Sequence, residues 1–254
     1  MFNLRTAAVR RAREEGEKPF WISFSDLMSA LMVLFLVAMS VALLAVTKKI
    51  SSEEKGERER QTVLDGLKID IEQILTAKEF EGVRLNETTI DFGPRVRFGH
   101  ESNSLSQDER DLLLSFTPKL LAVLQKNDAY SKWFKRTIVE GYASQSGSYL
   151  YNLNLSLERS ARVICELLKE PPAGRPALTE QDRELIATSF FVGGASFNSL
   201  QKSEAESRRI EFKLEFKSRS ELEAERTQPK ATVDRAVLLK ALDPKERCPL
   251  ANRG

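Results

Sequence analysis

Hydrophobic and polar residues divide the chain into a long apolar block, a charged stretch and a region of mixed pattern. Residues 27–47 carry no charge, and as a helix this block would span about 31 Å, the thickness of a bilayer core. The pattern predicts one transmembrane helix over residues 20–47, after a basic segment at 1–19. A secretory signal peptide is the alternative, although the block is long for one and no A-x-A site precedes Lys48. Basic residues flank both ends, so the charge rule leaves the orientation open.

The following stretch, residues 48–82, is predicted to be a charged helical linker with one amphipathic part. Leu64, Leu67, Ile71 and Ile74 recur at spacings of three and four residues and therefore line one face of a helix. This face could pair with a copy of itself, or it could pack on the domain that follows. The sequence leaves both interpretations open.

Residues 83–217 show the alternation of strand-like and helix-like segments that is typical of an α/β (α+β) domain. The segment IEFKLEF at the end of this region alternates clearly, and Ser106 with Glu109 forms a capping box. In the helix around residue 160, Leu157, Ala161, Ile164 and Leu168 are expected to face inward. Residues 218–254 are predicted to be a polar tail with one short helical stretch at 233–242. The expected elements are strands within 88–98, at 136–141, at 189–192 and at 210–216, and helices at 106–126, 153–169 and 179–187.

Composition and motifs argue against several classes of function. The chain has 39 Lys plus Arg against 37 Asp plus Glu, so it lacks the basic excess of a protein that binds nucleic acid through bulk charge. One His and two distant Cys do not suggest a zinc site, and CxxC, GxGxxG and GxxxxGK[ST] motifs are absent from the sequence. We therefore expect no metal, no cofactor and no enzymatic activity. Cys165 and Cys248 could form a disulfide in an oxidising compartment, or Cys165 could be a buried thiol.

Asp26 is the sharpest chemical signal in the chain. It lies at the start of the apolar block, six residues after Phe20, which is about 9 Å along a helix. A carboxylate inside hydrocarbon costs about 2.5 to 3.5 kcal/mol, so such residues usually face a protein interior or an aqueous cavity and relay ions or protons. The alternative is that Asp26 lies in the interface and the span starts at Leu27.

The stretch GYASQSGSYLYNLNLSLERSARVICELL, residues 141–168, resembles the core motif of the OmpA-like peptidoglycan-binding domain. The final segment SRRIEF and the earlier segment VRFGHESNSL are similar to the last strand and the entry loop of that family. The resemblance covers residues 83–217 and implies a βαβαβ domain that binds peptidoglycan. The matching positions in the core motif are Gly147-Ser148, Tyr151-Asn152, Leu155-Ser156 and Arg159.

The resemblance implies a role for each of these side chains. Tyr151, Leu155 and Arg159 lie four residues apart on one helix face, with Asn152 beside them, and they are the expected peptidoglycan-binding residues. An Arg fork can bind a carboxylate with two hydrogen bonds, and in the family the Arg holds the diaminopimelate of the stem peptide together with an Asp. Ser144 occupies the position of that Asp here, which predicts weaker or altered binding to the cell wall.

The segment KPFWISFSDLMSALMVLFLVAM, residues 18–39, resembles the MotB family of ion-driven stator subunits, and Asp26 falls on the ion-carrying position. The short basic N-terminus, FSDLMSALM and Ser144 are similar, more closely, to the ZorB family of the Zorya anti-phage defence system. This resemblance implies a cytoplasmic N-terminus and a periplasmic binding domain in the inner membrane. It also implies a homodimer inside a ring of about five ZorA-like subunits, driven by protons through Asp26 and anchored to peptidoglycan. A flagellar-type stator subunit and a passive tether between membrane and wall are the rival interpretations.

Overall fold

A computed structural model describes residues 18–171, 173–174, 177–228 and 233–252 of the chain. It divides into two compact units, residues 1–55 and residues 56–254. Most of the predicted cytoplasmic segment, residues 1–17, lies outside the described residues. The mixed helix and strand class predicted from the sequence is confirmed.

The first unit consists of the N-terminal part of helix α1, which runs over Lys18–Leu75. Between Trp21 and Ile50 its apolar side chains are exposed on all sides, as expected for a helix that contacts lipid. The helix is long and apolar enough to cross a membrane. The hydroxyl groups of Ser29 and Ser40 donate to the carbonyl oxygens four residues earlier, at 2.8 and 2.7 Å, so neither needs a partner from outside the helix.

The second unit is built around a five-stranded sheet in the order β1-β2-β5-β3-β4. Neighbouring strands are antiparallel except β3 and β4, which are parallel. Its strands are β1 (Arg84–Asn86), β2 (Thr89–Asp91), β3 (Phe134–Gly141), β4 (Phe190–Gly194) and β5 (Ile210–Phe216). Its helices are α2 (Gln107–Leu124), α3 (Asp128–Trp133), α4 (Tyr149–Leu168), α5 (Glu180–Ser189), α6 (Glu204–Ser207), α7 (Arg219–Thr227) and α8 (Arg235–Ala241).

Aromatic side chains form the centre of the core between the sheet and α2. Phe92 contacts Phe116 and Phe212 edge to face, with ring centroids 5.4 and 4.9 Å apart, and Phe80 contacts Phe116 at 5.4 Å. The helix α2 starts where the sequence predicted, because Ser106 and Glu109 make the reciprocal hydrogen bonds of a capping box. The core therefore fixes the sheet against α2 and leaves α4 to pack on β3 and β4.

The amphipathic part of α1 packs on this domain. Val63, Leu67 and Ile71 are buried in the same core as the aromatic cluster, and Ile74 is partly buried against it. Of the two interpretations open for this face, the structure therefore supports packing on the domain that follows, and the face is not available to pair with a second copy. One face of residues 63–75 therefore belongs to the domain core, although the sequence analysis had placed this stretch in a linker.

The inward face of α4 agrees with the sequence expectation at Ile164 and Leu168, which pack against the core, and differs from it at Leu157. Leu157 is exposed, whereas Leu155, Ser156, Arg159, Val163 and Leu167 are buried. The expectation followed the apolar residues, but polar residues occupy much of the buried face because they bond to backbone oxygens there. The prediction that Leu157 packs inward was wrong.

The C-terminal region is attached to the domain. Helices α7 and α8 follow β5, and a disulfide joins Cys248 to Cys165 on α4. The pairing of the two cysteines, which the sequence left open, is thus present in the structure. The predicted polar tail is polar in composition, but its last part bonds to α4 or to the residues just after it, through Pro244, Cys248 and Asn252.

One contact between α1 and the domain gives a prediction about pH. The Asp70 carboxylate accepts hydrogen bonds from Lys126 Nζ at 2.8 Å and from Tyr130 Oη at 2.9 Å, and the Lys126 bond holds the pKa of Asp70 below its usual value. This stabilisation is present above the ordinary pKa of an Asp and is lost as the pH falls through the lowered value. We expect Asp70→Asn to cost about 1 kcal/mol near neutral pH and to flatten the loss of stability in acid, as measured by denaturant unfolding from pH 7 to 3. An unchanged pH dependence would contradict this assignment.

Candidate functional site

The predicted binding residues meet at one end of the sheet, where β3 and β4 end and β5 begins. Backbone hydrogen bonds hold the connecting loops together there. Tyr142 N donates to Arg209 O at 3.0 Å, Ala143 N to Ser196 O at 2.8 Å, and Phe98 N to Arg208 O at 3.0 Å. Residues 99–104, which we call the Arg159 loop, approach the same end from the side of α2.

Helix α4 delivers its first two turns to this end of the sheet. Gly147 adopts a φ of +94°, a left-handed conformation that suits glycine, and Ser148 then caps the helix by accepting from Tyr151 N at 3.3 Å. The helix lies directly on β3, since a Cβ atom added at Gly141 would be 2.0 Å from Ser156 O. This close approach places Arg159 beneath the Arg159 loop.

The Arg159 guanidinium is completely buried and holds three backbone carbonyl groups. Its Nε donates to Ser102 O at 2.9 Å, Nη1 to Tyr142 O at 2.7 Å and Nη2 to Gly99 O at 3.0 Å. The group also lies 5.1 Å from the centroid of the Phe98 ring. Arg159 therefore fastens the Arg159 loop and the end of β3 to helix α4.

The charge of Arg159 is not neutralised by an acid. Among the described residues no carboxylate lies within ion-pair distance of it. Burial lowers the pKa of Arg159 to about 10, the positive charge of Arg208 lowers it further, and Tyr151 acts in the opposite direction. The guanidinium still carries its proton at neutral pH. A buried cation with only neutral partners is costly, and an anion that reached it would offset that cost.

A second buried network fixes the position of Tyr142. Its hydroxyl group donates to Glu211 Oε2 at 2.8 Å and also contacts Glu140, while burial raises the pKa of Tyr142 well above its ordinary value. Arg209 Nε donates to Glu211 Oε1 at 2.8 Å, and its guanidinium lies 3.9 Å from the Tyr142 ring centroid. Because Tyr142 also supplies a carbonyl to Arg159, this network supports the site from the sheet side.

The structure brings the four expected binding residues together on α4 but exposes little of them. Leu155 and Asn152 are buried, and the Asn152 side chain donates to Ser146 O at 2.7 Å and to Ser148 O at 3.2 Å. Tyr151 is half-buried. Ser144, at the position of the family Asp, is also buried. As observed, Asn152 and Arg159 hold backbone oxygens of the loops, and a ligand would reach the guanidinium only if the Arg159 loop moved.

Asp26 lies in the first unit, eight residues after the start of α1 at Lys18. Its side chain is exposed, and among the described residues it has no hydrogen-bond partner. In the part of the chain that the structure describes, no group of three or more His, Cys, Asp and Glu residues is arranged to hold a metal ion.

Sequence reasoning missed several residues that build this site. Asn103 and Arg162 connect the Arg159 loop to the C-terminal region, and Tyr142 and Glu211 form the buried network beside it. The alternation of IEFKLEF placed Glu211 on a strand but gave no indication that its side chain is buried. For Asn103 the sequence offers no signal, since its partners are distant in the chain.

A comparison with curated proteins finds a relative along most of the sequence. The chain is 36% identical over 224 residues to the Zorya protein ZorB of Escherichia coli O139:H28 (strain E24377A / ETEC), covering 85% of this chain and 88% of that protein. The chain belongs to the ZorB family. No protein-family model matches it. The ZorB resemblance seen in the N-terminal segment thus extends through both units.

Solved structures similar to this ZorB family member cover between 54% and 59% of the chain. The periplasmic domain of Helicobacter pylori MotB (residues 78–256 of that protein) covers 58% of this chain and 92% of its own, with 11% identity and a TM-score of 0.38. The cell-wall anchor of the type VI secretion system of Pseudomonas aeruginosa covers 59% and 97%, with 18% identity and a TM-score of 0.36. The OmpA-like domain of FopA1 from Francisella tularensis covers 54% and 82%, with 16% identity and a TM-score of 0.34. These scores are low, and membership of the ZorB family rests on the sequence relative.

Proposed function

We propose that this chain is the stator-like B subunit of a proton-driven inner-membrane motor that acts in anti-phage defence. The observation that carries the proposal is the 36% identity to the Zorya protein ZorB over most of both chains. The long apolar helix and the site around Arg159 supply the two parts that such a subunit needs, a membrane segment and a wall-binding domain. A ZorA-like multi-span subunit is the proposed partner, in about five copies around a homodimer of this chain.

In this proposal Asp26 relays protons. Asp26 lies at the start of a long apolar helix, and a carboxylate inside hydrocarbon requires a polar partner or a water-filled path from another subunit. The ZorA-like ring would supply that path, and protonation and release at Asp26 would couple proton flow to rotation. The chain itself makes and breaks no covalent bond in this scheme.

The second unit is proposed to lie in the periplasm and to anchor the assembly to peptidoglycan, with the N-terminus of the chain in the cytoplasm. The Cys165–Cys248 disulfide supports this side of the membrane, because disulfides persist in the periplasm and are rare in the cytosol. The ligand would be a carboxylate of the stem peptide, held through Arg159 and bordered by Tyr151 and Asn152, with Leu155 packing beneath them. Ser144 leaves the site without an acid at the family position, so a ligand ammonium group would gain no counter-charge from that residue.

The decisive test compares wild type with Asp26→Asn in phage plating on cells that carry the complete gene neighbourhood. Asn retains the size and polarity of Asp but does not exchange a proton, and we expect protection to be lost at normal membrane levels of both subunits. Ser40→Ala is the matched control. It removes a hydroxyl group from the same helix, and the one hydrogen bond that the structure shows for this group is to the carbonyl of Leu36. This control should protect as wild type does.

Each of the other outcomes supports one of the two rival interpretations. Protection by Asp26→Asn would exclude the relay and leave a passive tether between membrane and wall. A wild-type neighbourhood that never protects would instead favour a flagellar-type stator subunit.

A further inference from the structure

Residues 243–252, which we call the strap, run back along helix α4. Glu170 N, just beyond the C-terminal end of α4, donates to Pro244 O at 2.9 Å. The disulfide joins Cys248 to Cys165 in the last turns of the helix, and Arg162, one turn earlier, donates to Asn252 Oδ1 at 2.9 Å. The strap thus progresses toward the end of α4 that carries Arg159.

The far end of the strap contacts the Arg159 loop through Asn103. This side chain is fully buried, and its Nδ2 donates to Ala251 O at 2.9 Å and to Glu158 Oε2 at 3.0 Å. The carbonyl oxygen of the preceding residue, Ser102, accepts a hydrogen bond from Arg159 Nε. One short piece of backbone is therefore held by Arg159 on one side and by the strap on the other.

Arg162 depends on the strap for its hydrogen bonds. It is 6% exposed, its Nη2 lies 3.2 Å from Ala251 O and 2.9 Å from Asn252 Oδ1, and its buried Nε has no partner among the described residues. The other acceptors, Asn103 Oδ1 and Leu250 O, are at 3.4 Å. Without the strap this cation would have to be hydrated, and water would then enter beside Asn103.

The strap has little apolar surface of its own. Most of its residues are charged, polar or exposed, so packing contributes little to holding it against α4. The covalent link at Cys248 is the strongest attachment, and it limits how far Ala251 and Asn252 can move from the helix.

We infer that the strap is a positioning element for the Arg159 site: the Cys165–Cys248 disulfide holds Ala251 and Asn252 against Asn103 and Arg162 and thereby keeps the Arg159 loop ordered. Without the strap, the loop would be fastened to α4 by Arg159 and by the hydrogen bond from Asn103 to Glu158. Insofar as the ordered loop serves cell-wall binding, the inference rests on the proposed function. The restraint of the loop by the strap does not depend on the proposed function.

The test measures loop mobility and wall binding separately on the full-length chain in detergent micelles. Hydrogen exchange of the amides at 99–104 reports the loop, exchange in β5 reports the global fold, and co-sedimentation with purified sacculi reports binding. In Cys248→Ser we expect at least about tenfold faster exchange at 99–104, unchanged exchange in β5, and altered binding to sacculi, because a ligand reaches Arg159 only when this loop moves. A reducing agent should reproduce both effects in wild type and change nothing in Cys248→Ser.

Two point substitutions distinguish the contacts made by the last residues of the strap from the effect of the disulfide. Asn252→Ala removes an acceptor of Arg162 and should speed exchange in the loop, whereas Arg247→Ala, an exposed neighbour of the disulfide, should not. Unchanged exchange at 99–104 in Cys248→Ser would overturn the inference. So would faster exchange with unchanged binding, since the order of the loop would then not affect the site. If wild type fails to bind sacculi, the proposed anchoring function fails, and the exchange experiment still decides whether the strap restrains the loop.

Discussion

We expect Gly141→Ala to destabilise the second unit more than the addition of a single methyl group at any other position in its sheet. A Cβ at this position would lie 2.0 Å from Ser156 O and 3.0 Å from Ser156 C, both backbone atoms of α4. No change of rotamer relieves a clash between backbones, so α4 would have to move away from β3. Overpacking of this kind costs about 3 kcal/mol or more, a large part of the stability of an ordinary domain.

Denaturant unfolding of the full chain, followed by the fluorescence of Trp133 in the core, measures this effect. Gly193→Ala on the neighbouring strand is the matched control, because the nearest atom to its added Cβ is Ile138 Cγ2 at 3.3 Å, in a side chain that can adjust. We expect the control to cost less than about 1 kcal/mol. Equal effects of the two substitutions would show that α4 is not tightly packed on β3 at Gly141.

Arg159→Ala is expected to have the second large effect, on both stability and wall binding. It leaves the carbonyl groups of Ser102, Tyr142 and Gly99 without their donor, at about 1–3 kcal/mol for each that stays buried and unpaired. Removal of the buried charge offsets part of this cost, so we expect a net loss of about 3 kcal/mol. Binding to sacculi should be lost as well, since the proposed carboxylate ligand would have no cation to pair with.

Two further variants show whether the effect of Arg159→Ala is specific to the guanidinium group and to this position. Arg159→Lys retains the charge but lacks the planar fork, and it should recover part of the stability and little of the binding. Arg95→Ala removes an Arg that donates to a backbone carbonyl, Glu81 O, at an exposed position, and it should stay within about 0.5 kcal/mol of wild type. If Arg159→Ala unfolds like wild type and still binds sacculi, then Arg159 neither organises the loops nor contacts the ligand.

The sequence predicted the fold where local signals agree with burial. The capping box at Ser106 places the start of α2, and the alternation in residues 210–216 identifies β5. Helix α3 was missed because six residues are too few to show a period. Leu157 was wrongly assigned to the inward face of α4 because apolar periodicity assumes that polar residues face water, whereas Ser156 and Arg159 are buried there.

The sequence motif predicted which residues of the candidate site share one helix, but not how those residues are packed. The motif located Asn152 and Arg159 on one helix, but it could not show that both are buried under loops that they hold. Nor could composition show that a polar C-terminal region reaches back to Asn103. That contact depends on a disulfide between residues 83 positions apart, and pairing over such distances is not encoded in local pattern.

The position of β5 in the sheet has a consequence for the order of events during synthesis. This strand is the last in the chain, yet it lies in the middle of the sheet, between β2 and β3. Until residues 210–216 have been made and released, the hairpin of β1 and β2 has no connection to the pair β3 and β4, and both present unpaired edges. The sheet is therefore completed only after nearly the whole chain is available, and Cys248, the partner of Cys165, is made later still.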